Sequence, residues 1–147
     1  MKNLEYSEIE LNKINLIKPL WKKLNIHHKE RSKYFSDYYS KFSFKKRIKN
    51  LTKKLKKGKI RIETVKDTNK NIYIGYCISI ITEENEGEIE SILIEKDYRG
   101  YKIGDNLMKN SLKWMDFNKV KTKKIIVAYG NEEVFPFYEK YGFYPRC

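Results

Sequence analysis

A turn that carries basic residues and glycine follows an apolar strand and leads into a helix. The strand covers residues 88–94, the turn over residues 98–104 reads YRGYKIG, and DNLM at 105–108 lies at the start of the helix. The first backbone N–H groups of a helix have no partner inside it, and the helix dipole places partial positive charge at the same end. The turn is therefore expected to bind a phosphate or pyrophosphate group.

A carboxylate in an otherwise apolar strand, Glu90, is the second feature that suggests chemistry. Strand alternation places Glu90 on the face opposite Ser91 and Leu93, in a strand expected to be covered on both sides. Burial raises the pKa of a carboxyl group, which would make Glu90 a better base, acting through water. The alternative is an ion pair between Glu90 and a neighbouring lysine or arginine. Glu88 is interpreted as a solvated residue at the start of the strand.

A second segment, NEEVFPFYEKYGF at residues 131–143, follows the turn in the chain. The two segments, in this order and spacing, resemble the GNAT superfamily of N-acetyltransferases, and the resemblance covers nearly the whole chain. The family's acyl-CoA motif is Arg/Gln-x-x-Gly-x-Gly/Ala, which Arg99 and Gly104 match, while Lys102 replaces the middle glycine. A side chain can be accommodated at this position if the local φ is negative, and a lysine there could add positive charge near the phosphate. Residues 131–143 are similar to the family's Asn-x6-Tyr-x3-Gly-Phe helix and exit turn.

The resemblance implies an acyltransferase that moves an acetyl group from acetyl-CoA to a primary amine of a small molecule or peptide. It implies direct attack in a ternary complex, with acetyl-CoA as co-substrate and no metal. A base must take the amine proton, N–H groups should face the thioester oxygen, and the leaving thiolate needs a proton or a hydrogen bond. The implied contacts to acetyl-CoA come from the strand end (Ile92, Leu93 and Ile94), from the turn (Arg99, Gly100, Tyr101, Lys102, Ile103 and Gly104) and from Asn131.

Two residues are the candidates for catalysis. Glu90 is the candidate base. Tyr138 matches the family tyrosine that hydrogen-bonds the thiol sulfur and can act as general acid, and a phenol with a pKa of about 10 is protonated at neutral pH. The alternative for Tyr138 is aromatic packing, because Phe135, Phe137 and Tyr141 lie beside it in the sequence.

Hydrophobic periodicity predicts the element order β-α-α-β-β-β-α-β-α. This order matches the GNAT-like α/β fold, a mixed, mostly antiparallel, splayed sheet flanked by helices. Pro19 predicts a kink or break near Lys18. Few residues follow Gly142, so the final strand of the family is expected to be short or missing, with a partner subunit in a homodimer or an open edge as alternatives. Strands are predicted over residues 4–11, 59–65, 72–82, 88–94 and 124–129, and helices over 12–25, 36–56, 103–118 and 131–141.

The composition favours one folded domain over residues 1–147. Hydrophobic residues make up 40% of the chain and aromatic residues 14%, which favours a globule over a disordered chain. No apolar run approaches the roughly 18–20 residues of a membrane span, and the first residues lack the apolar core of a signal peptide. A cytoplasmic protein with no membrane partner is therefore expected. Cys77 and Cys147 form neither a disulfide framework nor a metal-binding spacing, and Cys77 is interpreted as core packing.

The net charge of +13 includes eleven lysines and arginines, and no acid, between Lys41 and Arg61. One interpretation is an anion-binding face, and the other is a solvated helix face. A basic nucleic-acid-binding module is thus an alternative function, although no recognised module accompanies the charge. A non-catalytic CoA-binding protein of the same fold is another alternative. His27 and His28 are interpreted as surface residues, with binding of the acceptor as the alternative.

Overall fold

The computed structural model describes residues 3–23, 43–125 and 135–144. In these residues five strands form one sheet, in the order β1-β2-β3-β4-β5. The pairs from β1 to β4 are antiparallel, and β4 pairs with β5 in parallel. The predicted mixed, mostly antiparallel sheet is therefore confirmed. The strands are β1 (Leu4–Ile9), β2 (Lys59–Asp67), β3 (Ile72–Ile81), β4 (Glu86–Ile94) and β5 (Thr122–Ile125).

Helices pack on both faces of the sheet. On the first face a 3-10 helix, Leu11–Ile17, continues as α-helix over residues 18–23, and α1 (Phe44–Leu55) packs into the same buried cluster. On the second face lie α2 (Ile103–Phe117) and α3 (Phe135–Glu139). The change of helix type at Lys18 confirms the predicted break before Pro19. In the described ranges, no helix combines the length and the apolar character that crossing a membrane requires.

Helix α1 begins with a side-chain cap and packs through a narrow apolar stripe. The Ser43 hydroxyl accepts a hydrogen bond from the Lys46 N–H at 3.1 Å, as an N-cap serine does. Phe44 and Leu51 are buried against the first face of the sheet. The spacing of seven residues brings these two side chains to the same side of the helix. The position of this buried side determines which other residues of α1 face β4.

Strand β4 contains a bulge at Glu90. Ile78 of β3 pairs with Ser91 and Ser79 pairs with Ile89, so Glu90 is an extra residue without a partner in β3. Such a bulge re-aims side chains, and here Glu90, Ser91 and Leu93 all turn to the face that α1 covers. The prediction that Glu90 lies opposite Ser91 and Leu93 is therefore wrong, because the bulge interrupts the alternation.

Some predictions fall outside the described residues, namely those on His27, His28, Asn131 and Cys147. The strand predicted as buried over residues 124–129 begins earlier, at Thr122, and residues 122–124 are exposed. The rest of the predicted range, residues 126–129, lies outside the described residues.

Candidate active site

The basic turn ends at a helix N-terminus without a side-chain cap. Lys102 is the N-cap of α2, and its own side chain makes no capping hydrogen bond. The first backbone bond of α2 runs from the Asn106 N–H to the Lys102 carbonyl at 3.0 Å. The N–H groups of residues 103–105 therefore point out of the helix end. The Asp105 carboxylate at this end is paired with Lys140 Nζ at 3.1 Å, so its charge is compensated and the helix end suits an anion.

Lys102 has a left-handed backbone conformation, with φ 62° and ψ 20°. The negative φ that would accommodate a side chain most easily is therefore not adopted. The turn needs a positive φ here because the chain reverses into α2, and the side chain of Lys102 stays exposed. Two residues earlier, Gly100 also has a positive φ of 91°. A left-handed non-glycine residue costs about 1–2 kcal/mol, so Lys102 holds the turn in a conformation that glycine would adopt at lower cost.

Replacing Lys102 with glycine is expected to raise the free energy of unfolding by about 0.5–1 kcal/mol. Relief of the left-handed strain, about 1–2 kcal/mol, outweighs the added chain entropy of glycine in the unfolded state, about 0.5–1 kcal/mol. Urea unfolding measures the change. The matched control is Lys109→Gly, at an exposed position inside α2, which should lower the free energy of unfolding by about 1 kcal/mol. A Lys102→Gly protein less stable than the wild type would contradict the strained turn.

The C-terminal half of β4 lies beside the uncapped end of α2. Residues 92–94 pair with β3 on one side, and the described pairing with β5 ends at Ile89. In the described part of the chain, the other backbone edge of residues 92–94 therefore has no strand neighbour. Arg99 Nε donates to the Ile94 carbonyl at 3.3 Å, and a Cβ at Gly104 would lie 3.4 Å from Ile94 Cδ1. The predicted strand-end contacts and the predicted turn contacts are thus adjacent.

Helix α3 packs against the same end of α2. A Cβ at Gly104 would lie 3.3 Å from Phe137 Cζ, so the absence of a side chain at Gly104 lets α3 approach. Tyr138 is half-buried and packs against the core cluster that contains Cys77. Burial, with a smaller effect of the Cys77 thiol, raises the pKa of Tyr138 to about 12. Because Cys77 pairs with Ile92 across β3 and β4, Tyr138 lies over the part of the sheet that ends at residues 92–94.

On the opposite face of the sheet, β4 carries two buried carboxylates. Glu88 is fully buried, and only 6% of the Glu90 side chain is exposed. Arg47 Nη2 of α1 lies 2.6 Å from Glu90 Oε1, and Lys54 Nζ lies 3.2 Å from Glu90 Oε2. Lys54 also forms an ion pair with Glu88. The interpretation of Glu88 as a solvated residue is wrong, and the ion pair weighed as the alternative for Glu90 is present.

The pKa values of the two carboxylates move in opposite directions. Burial, together with the hydrogen bond and the negative charge of Glu90, raises the pKa of Glu88 to about 7. Burial also acts to raise the pKa of Glu90, but the hydrogen bond from Glu88 and the charges of Arg47 and Lys54 outweigh it and lower that pKa to about 2. The prediction of a raised pKa at Glu90 is therefore wrong, because the hydrogen bond and the two cations outweigh burial.

Sequence reasoning missed Arg47 and Lys54 as partners of the carboxylates. The two residues are seven apart, like the buried Phe44 and Leu51, and therefore share one side of α1. That spacing could have shown that two of the many basic residues of this segment face the sheet. The position of Glu88 two residues before Glu90 was likewise a sign that their side chains share a face.

Solved structures with this fold include three acetyltransferases. A candidate acetyl transferase from Pyrococcus furiosus is 20% identical, with a TM-score of 0.69, and the alignment covers 97% of this chain and 95% of that one. The aminoglycoside N-acetyltransferase AAC(6')-Iy in complex with CoA is 10% identical, with a TM-score of 0.69 and coverage of 100% and 91%. The PaiA N-acetyltransferase from Thermoplasma acidophilum in complex with coenzyme A is 18% identical, with a TM-score of 0.63 and coverage of 95% and 88%.

These identities establish a shared fold, and the sequence itself identifies the family. A comparison with curated protein sequences finds no match. Residues 24–143 match the profile of the acetyltransferase (GNAT) family, and this range contains the basic turn, the end of β4 and α3. The chain therefore belongs to the GNAT family of acetyltransferases and is an acyltransferase of that family.

Proposed function

We propose that this protein transfers an acetyl group from acetyl-CoA to a primary amine of a small molecule or peptide, by direct attack in a ternary complex. The observation that carries the proposal is the contact between the uncapped N-terminus of α2 and the end of β4. There a helix end that suits an anion meets a strand edge that has no strand neighbour among the described residues. Acetyl-CoA has the matching chemistry, because its pyrophosphate is joined to an arm that contains amide groups.

The chain's own backbone would hold acetyl-CoA. The N–H groups of residues 103–105 would bind the pyrophosphate. The edge of residues 92–94 that has no strand neighbour among the described residues would pair with the amides of the pantetheine arm, as an added strand does. The AAC(6')-Iy and PaiA structures of the same fold contain CoA, which supports this use of the fold. A contact from Asn131 to the pantetheine is supported by the sequence resemblance alone, since Asn131 lies outside the described residues.

Tyr138 is proposed to stabilise the leaving thiolate by donating a hydrogen bond. Its pKa of about 12 keeps the phenol protonated at neutral pH. Full proton transfer to a thiolate, whose conjugate acid has a pKa of about 8.5, would cost about 5 kcal/mol. A hydrogen bond to an ionised group contributes about 1.5–3 kcal/mol without that cost. Tyr138 therefore acts as a hydrogen-bond donor rather than as a full proton donor.

Glu90 is proposed to take the proton of the acceptor amine through a water molecule. Its carboxylate is ionised at every working pH because its pKa lies near 2, and its negative charge stabilises the positive charge that develops on the attacking nitrogen. A carboxylate with so low a pKa holds a proton poorly, since an efficient base has a pKa near the working pH. The proton must therefore move on from Glu90.

The charges around the site favour an acceptor with one amine over a polycation. The net charge of the chain is +13. Two of the described acids that could attract a polycation are compensated, because Glu8 pairs with Arg61 and Glu90 pairs with Arg47 and Lys54. A polyamine would meet net positive charge on approach. We therefore propose a neutral or anionic molecule that carries a single primary amine.

A panel of amines tests the proposal. The protein is incubated with acetyl-CoA and with amino acids, peptides with free N-termini, Nα-blocked lysine peptides or polyamines, and the acetylated product is measured by mass spectrometry. Acetylation of at least one single-amine acceptor, with polyamines the poorest, is the expected result. Bound acetyl-CoA without acetylation of any amine above the rate in buffer would favour a non-catalytic CoA-binding protein instead.

A further inference from the structure

We infer that Glu88 is a positioning residue for proton transfer: it receives from Glu90 the proton that the acceptor amine loses. The two carboxylates then work as a pair that shares one proton. The inference rests on the proposed acetyl transfer and deepens it, because it names the group that holds the proton during the reaction. Glu88 does not touch the acceptor in this arrangement, since it is fully buried.

The geometry of β4 brings the two carboxylates together. The bulge gives β4 an extra residue at Glu90, and its side chain points to the same face as that of Glu88. A single ammonium group, Lys54 Nζ, contacts both carboxylates, at 3.2 Å for Glu90 and as a close ion pair for Glu88. Two anions held around one cation repel each other. A proton shared between them removes that repulsion, as in other paired carboxylates.

The positive charge near Glu88 is weaker than that near Glu90, because Glu88 shares one lysine with Glu90 and its other lysine is farther away and half exposed. Lys54 reaches it from α1, and Lys124 Nζ of β5 lies 3.8 Å from Glu88 Oε1 with half of the Lys124 side chain in solvent. Glu90 is the neighbouring anion in β4, and the residue opposite Glu88 in β3 is the apolar Ile80. Neither Glu88 oxygen accepts a well-formed hydrogen bond from the described residues. A buried carboxylate in this position is stabilised by a proton.

Glu90 has the stronger cationic partners, which keeps it ionised. Arg47 Nη2 contacts its carboxylate at 2.6 Å and its backbone carbonyl at 3.2 Å. The pKa of Glu88, about 7, lies above that of Glu90, about 2, for the reasons given above. Between the two carboxylates, a proton therefore resides on Glu88. Glu90 takes the proton from the acceptor side, and Glu88 is the better place to keep it.

The proposed step is balanced. An N–H bond of the attacking amine breaks, and its proton passes through water to an oxygen of Glu90. The O–H bond formed on Glu90 then breaks as an O–H bond forms on Glu88, which must start as a carboxylate. The new C–N bond forms as the C–S bond of the thioester breaks, and the CoA thiolate takes a proton from solvent when it leaves. After the product leaves, Glu88 returns its proton to solvent through Glu90 and water, so acetylation of a neutral amine releases no net proton. Below its pKa Glu88 already carries a proton and cannot accept another, so the rate should rise with pH through about 7.

The inference is tested first by NMR of the glutamate side-chain carboxyl groups, which needs no acceptor. In the wild type we expect the Glu88 carboxyl to titrate near pH 7, with a second small step from Glu90 at low pH. In Glu90→Gln the Glu88 midpoint should fall, because the neighbouring charge is removed. Glu88→Gln assigns the resonance, and Glu84→Gln, at an exposed turn position, is the matched control with no effect. A Glu88 midpoint at or below about 4.5 would overturn the inference.

The pH dependence of kcat/KM provides the second test, with an Nα-blocked lysine peptide as the acceptor. The pKa of its amine, about 10.4, lies far above pH 7, so titration of the amine does not overlap with that of Glu88. The wild type should show an inflection near pH 7, and Glu88→Gln should remove it. At about pH 8 the variant should have a kcat/KM about tenfold lower than the wild type, with an unchanged affinity for acetyl-CoA. An unchanged inflection in Glu88→Gln would overturn the inference. A wild type that shows the shared titration by NMR but acetylates no amine would instead count against the proposed function.

Discussion

Replacing Tyr138 with phenylalanine is expected to lower kcat by about 10²-fold and to leave the affinity for acetyl-CoA nearly unchanged. The variant keeps the ring that packs against the core cluster and removes the hydroxyl proposed to stabilise the thiolate. Because the thiolate exists only as the thioester breaks, the hydroxyl acts in the transition state more than in binding. Steady-state kinetics with the acceptor found in the amine panel, together with calorimetric titration of acetyl-CoA, measures both quantities.

Tyr141→Phe is the matched control for this prediction. Tyr141 lies three residues after Tyr138, in the turn that follows α3. Its buried hydroxyl has no hydrogen-bond partner among the described residues. Removal of an unsatisfied buried hydroxyl should leave kcat unchanged and stability equal or higher. If Tyr138→Phe kept the wild-type kcat, Tyr138 would be a packing residue, and the leaving thiolate would be stabilised elsewhere.

Replacing Arg47 with methionine is expected to lower the free energy of unfolding at neutral pH by about 3 kcal/mol. Arg47 is mostly buried, with 20% of its side chain exposed, and it contacts a carboxylate that is 6% exposed. The variant removes a cation and leaves the Glu90 charge buried with Lys54 as its remaining close partner. Loss of Arg47 also raises the pKa of Glu90, so lowering the pH toward 4 should reduce the deficit as Glu90 becomes protonated. Urea unfolding at several pH values measures both effects.

Lys49→Met is the matched control for this prediction. It separates the contribution of the buried ion pair to the free energy of unfolding from the general effect of removing a positive charge from α1. Lys49 lies on the same helix, is exposed and receives the same side chain. Its effect on the free energy of unfolding should stay within about 0.5 kcal/mol. Equal stability losses in the two variants, or an Arg47→Met deficit that does not depend on pH, would show that Glu90 is not held by Arg47.

The order of the elements could be predicted from the sequence because each strand and helix has its own periodicity and its own boundary residues. Pro19 fixes φ and removes an N–H group, and the structure changes helix type at the residue before it. Gly142 has a positive φ of 87° at the exit of α3, where glycine is the least costly residue. These signals are local, so they can be recognised without knowing which parts of the chain meet.

The features that the sequence did not predict depend on contacts between distant segments. The bulge at Glu90 arises from the register between β3 and β4, which alternation within one strand cannot reveal. The burial of Glu88 requires α1 to cover β4, and its high pKa requires Lys54 and Glu90 to be placed together. The positive φ of Lys102 follows from the approach of the chain to α2. For the same reason, the acceptor cannot be inferred from the motifs.

The central claim is that acetyl-CoA binds where the N-terminus of α2 meets the end of β4, and an amide NMR titration with acetyl-CoA tests it most directly. We expect saturable shifts that are largest at residues 92–94 and 103–105, and that persist when the salt concentration is raised. Absence of shifts at these residues would contradict the account. Shifts confined to the exposed lysines of α1, and lost as salt is added, would contradict it as well, because they would indicate general anion binding by the basic helix.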